Sequence, residues 1–213
     1  MIIEQSASTQ AEAALLDLDG PRFRELIAEA LAAHSTVEVF ERLVSPALEH
    51  IGRSWEEGDL ALAQVYMASR MVERVVEEHL IDLAPSQRSH PPIAMAVLED
   101  HHHLGKRLVL SGLRMAGWSV EDWGVAEDPL ALAERAHARG LDLLLISTLM
   151  DRAARRVALV VGHLKELGAS TRVVVGGAPF RLNPNLCREV GAVATATVAS
   201  AVPDLLTNLV GAP

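Results

Sequence analysis

The chain has 213 residues, half of them hydrophobic but only 3% aromatic, so its core must be built from Ala, Val, Leu and Ile rather than from rings. Nineteen basic against 28 acidic residues give a net charge of −9 with no long Lys/Arg run, which disfavours a binder of nucleic acid or an anionic membrane. A single cysteine, Cys187, excludes an internal disulfide framework and a Cys-x-x-Cys metal site. The first residues lack a cationic and apolar leader, and no apolar run approaches the roughly 18 residues of a membrane span, so a soluble, cytoplasmic protein is expected.

In chain order, the first half has helical spacing. A short helix is expected over residues 9–18. Asp19-Gly20-Pro21 opens a second helix, with Phe23, Leu26, Ile27, Ala30 and Leu31 on one face. A third stretch runs from Thr36 through Val39, Leu43, Val44, Leu48 and Ile51, and Pro46 must kink or split it. Gly58-Asp59 ends it, with Asp59 the expected cap of a last helix from Leu60 to about Leu80. Four helices with short loops predict an N-terminal four-helix bundle over residues 1–84. The segment Ala84-Pro85-Ser86-Gln87-Arg88-Ser89-His90-Pro91-Pro92 cannot continue a helix, and residues 85–92 read as a linker.

Beyond the linker the period changes. Strands are expected at Ile93–Leu98, Trp118–Trp123, Leu141–Ser147, Arg172–Gly176 and Ala192–Ala196. Helices are expected between and after them at Gly105–Ala116, Pro129–Arg139, Ala153–Leu167, Pro184–Val190 and Val198–Leu209. Five strand–helix units predict an α/β domain over 93–213, a Rossmann-like (flavodoxin-like) five-stranded parallel sheet covered on both faces. Ligands of such sheets sit beyond the C-terminal strand ends, where strand order reverses. The residues after each strand are therefore the candidates for chemistry.

The first strand is followed by Glu99-Asp100-His101-His102-His103-Leu104-Gly105-Lys106. Asp100 is close enough to His102 to accept a hydrogen bond from one ring nitrogen, fixing the tautomer and strengthening the other nitrogen as a metal ligand. Gly105 reads as a tight turn into the next helix. Ser147-Thr148-Leu149 follows the third strand and can bind a buried polar ring, whereas Gly176-Gly177 after the fourth allows close backbone approach. Each feature alone has a plain structural reading. A histidine triplet is a solvated or adventitious metal-binding tract, a glycine pair is a turn, Trp55 is helix-bundle core, and Met67 with Met71 is core packing. Cys187 reads as structural, and the remaining histidines show no zinc-type pairing.

Together, Asp-x-His-x-x-Gly, Ser-x-Leu about 40 residues later and Gly-Gly about 27 further on resemble the cobalamin-binding domain. That resemblance implies a corrinoid (cobalamin, as methylcobalamin or another form) held base-off, with His102 as the lower cobalt ligand and Asp100 as its partner. It also implies Gly105, Ser147, Leu149, Gly176 and Gly177 along the channel for the nucleotide tail, with Leu104 and Thr148 in the same cofactor-binding set. His101 and His103 shape the loop or touch the corrin edge. Ile51–Gly58 and Ala63–Ser69 look like the helical cap that precedes this domain in methionine synthase, which would put Trp55, Tyr66 and Met67 over the upper corrin face. The layout is most similar to small corrinoid proteins that carry a methyl group from a substrate methyltransferase to a second acceptor without being the catalytic subunit. The implied partners are barrel-type methyltransferases and a reductive activator, with room for a homodimer. The alternative is a cobalamin-dependent sensor; a mutase small subunit ranks below both, and a related haem-binding lineage lacks the motif histidine. Two positions depart from the family pattern. Ala153 replaces a relay hydroxyl, so a proton path beyond Asp100 must run through water or Thr148. Glu56, Val65 and Tyr66 stand where the cobalamin photoreceptors carry their His, Glu and His.

Overall fold

The computed structural model describes residues 5–79 and 92–211, and the chain divides into two compact units, Met1–Ile81 and Asp82–Pro213. The expected linker, apart from Pro92, lies outside the described residues.

The described N-terminal residues are helical: α1 (Gln5–Leu16), α2 (Gly20–Leu31), α3 (Thr36–Val39), α4 (Ser45–Glu56) and α5 (Leu62–His79). The Asp19 carboxylate accepts the Arg22 N–H and Pro21 occupies the first turn of α2, while Ser35 and Glu38 form a reciprocal capping box at α3. The third stretch is split as expected, into α3 and α4, with Pro46 in the first turn of α4. Phe40–Val44 form a π-helical turn in which the Ser45 N–H reaches back to the Phe40 carbonyl. Slipping the ladder by one residue accommodates a proline that has no N–H and a ring that clashes with the carbonyl four residues back. The last helix starts at Leu62 rather than Leu60, and the Gln64 side chain, not Asp59, caps it by accepting the Ala61 N–H at 2.9 Å. α1 packs against α2, α4 and α5, and Leu15, Phe23, Ile27, Phe40, Leu43, Ile51 and Val72 are buried in this unit.

The second unit holds five parallel strands: β1 (Ile93–Leu98), β2 (Glu121–Ala126), β3 (Leu143–Ser147), β4 (Arg172–Gly176) and β5 (Ala194–Ala196), in the order β2-β1-β3-β4-β5. That order reverses between β1 and β3, the switch point of the flavodoxin-like arrangement. Side chains alternate across the sheet. Ala94, Ala96, Leu98, Leu144, Ile146, Val173 and Val175 pack against α7 (Pro129–Arg139) and α8 (Asp151–Glu166). Ile93, Met95, Leu143, Leu145 and Val174 pack against α6 (Leu104–Met115) and α11 (Val202–Val210). With both faces covered, β1 and β3 are buried along their whole length.

Several expected elements shift: the third strand starts at Leu143 rather than Leu141, and the last α-helix at Val202 rather than Val198. The apolar run from Trp118 is not the start of the second strand: Gly117 turns the chain, Trp118 and Val120 plug the core as a loop, and pairing with β1 begins at Glu121. The helix expected at 184–190 is the shorter α10 (Leu186–Glu189), and a further short helix that was not expected, α9 (Ala178–Leu182), precedes it; the two are separated where the Asn183 side chain accepts the Asn185 N–H. The last strand is three residues long, starting at Ala194 rather than Ala192. No helix among the described residues is long and apolar enough to cross a membrane.

Candidate functional site

Sheet register places the site before any side chain is considered. Val97 pairs with Ser147, Ser147 with Gly176, and Gly176 with Ala196, so one row crosses four strands, at the last residue of β3, β4 and β5 and one residue before the end of β1. Among the described residues four polar or charged side chains are buried: Asp100, Lys106, Ser147 and Thr148. All but Lys106 follow or end β1 or β3, at the switch point.

Asp100 is the hub, with 4% of its surface exposed. One carboxylate oxygen accepts the His102 backbone N–H at 3.1 Å and its ring Nδ1 at 2.5 Å. The other accepts the N–H groups of Leu149 at 2.8 Å and Met150 at 3.2 Å, immediately before α8. Burial alone would raise the Asp100 pKa. The hydrogen bonds from the His102 ring and from the Leu149 and His102 amides outweigh it and bring the carboxyl down to about 2. An ionised Asp100 makes Nδ1 the N–H donor, so the lone pair of the half-exposed His102 ring is on Nε2.

His101 is exposed, and His103, half-buried, is the residue before α6 but makes no side-chain cap. Among the described residues no three His, Cys, Asp or Glu side chains converge as a metal cluster. Gly105 corrects the sequence expectation: it lies inside the first turn of α6 without a positive φ, and a Cβ there would meet only the Ser147 Oγ, at 3.5 Å. Its small size keeps the space beside that hydroxyl open. Gly177 is the position that demands glycine. It sits at φ 116°, and a Cβ would fall 1.8 Å from the Thr148 carbonyl oxygen. Thr148 donates its own N–H to the Gly176 carbonyl at 3.1 Å, whereas its buried Oγ1 has no hydrogen-bond partner among the described residues. Asp100 continues into backbone amides rather than to the Thr148 hydroxyl, and Ala153 lies buried in α8. Leu149 is exposed and Leu104 half-buried.

Trp55, Tyr66 and Met67 belong to the helical unit and are 44%, 62% and 46% exposed. Trp55 is four residues after the buried Ile51 and so continues the core stripe of α4, but it emerges on the last turn. The reading of Trp55 as bundle core has the right period and fails because the helix outruns the core. Core packing fails for Met67 as well, while Met71, partly buried, packs beside Gly20.

Two charged features escaped the sequence reading. Lys106, buried in α6, is paired with Asp122 of β2; its signal was a lysine at a core-facing helical position. Glu99 and Arg156 form an ion pair beside Asp100, and nothing in the spacing marks it.

A doubly wound sheet with a buried carboxylate–imidazole pair, a buried hydroxyl and a glycine cradle at its switch point is a cofactor-binding α/β protein. The chain belongs to the B12-binding family: one B12 binding domain model matches residues 91–206 and a second matches residues 8–78. It is 28% identical over 186 residues to trimethylamine corrinoid protein 1 of Methanosarcina mazei, covering 84% of this chain and 86% of that one. It is 29% identical over 186 residues to the HTH-type transcriptional repressor CarH of Myxococcus xanthus, covering 86% of this chain and 60% of the length of CarH. Among solved structures, the monomethylamine corrinoid protein of Methanosarcina barkeri superposes with a TM-score of 0.82 at 24% identity, over 96% of this chain and 99% of that one. The cofactor of this chain is thus a corrinoid. The residues present fit such a group: the Thr148 hydroxyl is a buried donor without a partner, the Gly177 backbone leaves no side chain in the cleft, and the His102 tautomer puts the lone pair on Nε2.

Proposed function

We propose that the protein is the corrinoid subunit of a methyl-transfer system, carrying a methyl group from a substrate methyltransferase to a second acceptor, with cobalamin held base-off on His102. The observation that carries this reading is the hydrogen-bond chain from the α8 amides through Asp100 to the His102 ring. A bound corrinoid would supply the cobalt that accepts and gives up the methyl group. The chain's own residues supply orientation and charge. Asp100 holds the His102 tautomer, and because it stays ionised at neutral pH it also stabilises the imidazolium formed when Nε2 takes a proton. Ser147, Thr148, Leu149, Gly105, Gly176 and Gly177 would line the slot for the nucleotide tail.

The helical residues, read as a four-helix cap, would bring the exposed Trp55, Tyr66 and Met67 over the upper face. The resemblance to M. mazei trimethylamine corrinoid protein 1 over both units supports the carrier role, with a barrel-type methyltransferase and a reductive activator as partners. The similarity to CarH supports a sensor as the second reading, in which the same pocket controls a partner protein. Transfer of label from methyl-loaded protein to an acceptor, in the presence of a methyltransferase, separates the two.

The test of the lower ligand uses protein grown with 15N-histidine and loaded with cob(II)alamin. A histidine ligand splits the cobalt resonance lines into two in the labelled protein and three in the unlabelled one. His102→Ala should lose that splitting. Identical spectra from wild type and His102→Ala would remove His102 as the ligand.

A further inference from the structure

Glu99, the last residue before Asp100, has φ 48°, and Leu18 is the other non-glycine residue with positive φ among those described. Side chains adopt this left-handed region only where the surroundings impose it. Two restraints act on Glu99. Its N–H donates to the carbonyl of Ala126, at the end of β2, at 2.8 Å. Its carboxylate lies 2.7 Å from Nε of Arg156 on α8, a close charge contact without the alignment of a hydrogen bond, and both side chains are at least three-fifths buried. The next residue, Asp100, hydrogen-bonds the amides that precede the same helix. The end of β1 is therefore tied to α8 twice, by adjacent residues.

We propose that the Glu99–Arg156 pair is a positioning device that holds Glu99 left-handed and so aims Asp100 at the His102 ring and at the head of α8. Returning Glu99 to an ordinary φ would turn the chain by about 110° and carry the Asp100 carboxylate away from both sets of donors. The consequence for cobalt rests on the reading of His102 as its ligand; the placement of Asp100 does not. Glycine takes a positive φ freely, so a glycine at this position would need no charge partner. That separates a backbone role for the pair from a purely electrostatic one.

The experiment follows amide hydrogen exchange at Leu149 and Met150 in the cofactor-free protein, and the histidine splitting after loading with cob(II)alamin. Arg156→Gln should speed exchange at these two amides roughly tenfold relative to those of β3, and weaken the splitting. Glu99→Gln, which keeps the side-chain shape, should do the same. The double variant E99G/R156Q should restore both signals. Unchanged exchange in Arg156→Gln and Glu99→Gln overturns the proposal, and so does failure of E99G/R156Q to recover it. If exchange responds as expected but the unsubstituted protein shows no histidine splitting, positioning of Asp100 stands and the cobalt ligand reading falls.

Discussion

Asp100 takes three backbone N–H groups and one imidazole N–H on a single carboxylate. Its pKa of about 2, against an ordinary 3.8, makes it a stability group as well as a site group. Because the folded value is depressed, the stabilisation is complete above the unfolded pKa and is lost as pH falls from about 4 through about 2. At about 1.4 kcal/mol per tenfold, the shift corresponds to about 2 kcal/mol at neutral pH. Urea unfolding of cofactor-free wild type and Asp100→Asn should differ by an amount of that order at pH 7. The gap should shrink steadily below pH 4, and a gap that is the same at pH 7 and pH 3 would show that the carboxylate charge is not its source. The pairing of Asp100 with His102 was legible in the sequence, since two residues on a strand-end loop are within reach. The Leu149 and Met150 partners were not, because local spacing carries no information about what lies 49 and 50 residues away.

At the scale of elements, the β3–β4 junction is the tightest point of the site. A Cβ on Gly177 would overlap the Thr148 carbonyl and would also demand a backbone conformation reserved for glycine, whereas one on Gly176 would meet only the Ala196 carbonyl at 3.9 Å. Gly177→Ala should therefore cost about 3 kcal/mol or more, and Gly176→Ala less than about 1 kcal/mol, as read by denaturant midpoints. Equal costs would mean that the junction relaxes freely. The glycine pair was visible in the sequence, but not which member is indispensable, because that depends on the path of β3. The same distinction runs through the other elements. β1, β3 and β4 were readable from continuous apolar runs between turn signals, which is how doubly covered strands are written. β2 was misplaced because Trp118 and Val120 are apolar for the core's sake while pairing starts later. The π turn at Phe40–Val44 left no mark beyond Pro46 itself.

For the molecule as a whole, two compact units and a match to B12 binding domain models in each half make cofactor binding a property that stabilises the fold by mass action. Cobalamin at 100 times its Kd should add about 2.7 kcal/mol to the unfolding free energy of the unit that holds it. The melting temperature should then rise with cobalamin concentration, and a transition indifferent to cobalamin would contradict binding to the native state. The hydrophobic period changes across a proline-rich seam in the sequence, and the chain divides into two compact units. Asp100 adds a last consequence. A carboxylate that must find amides half a hundred residues downstream can do so only after β1 and β3 have paired and α8 has docked. The amide half of the Asp100 network therefore waits on long-range contacts, whereas its bond to the His102 ring spans only two residues.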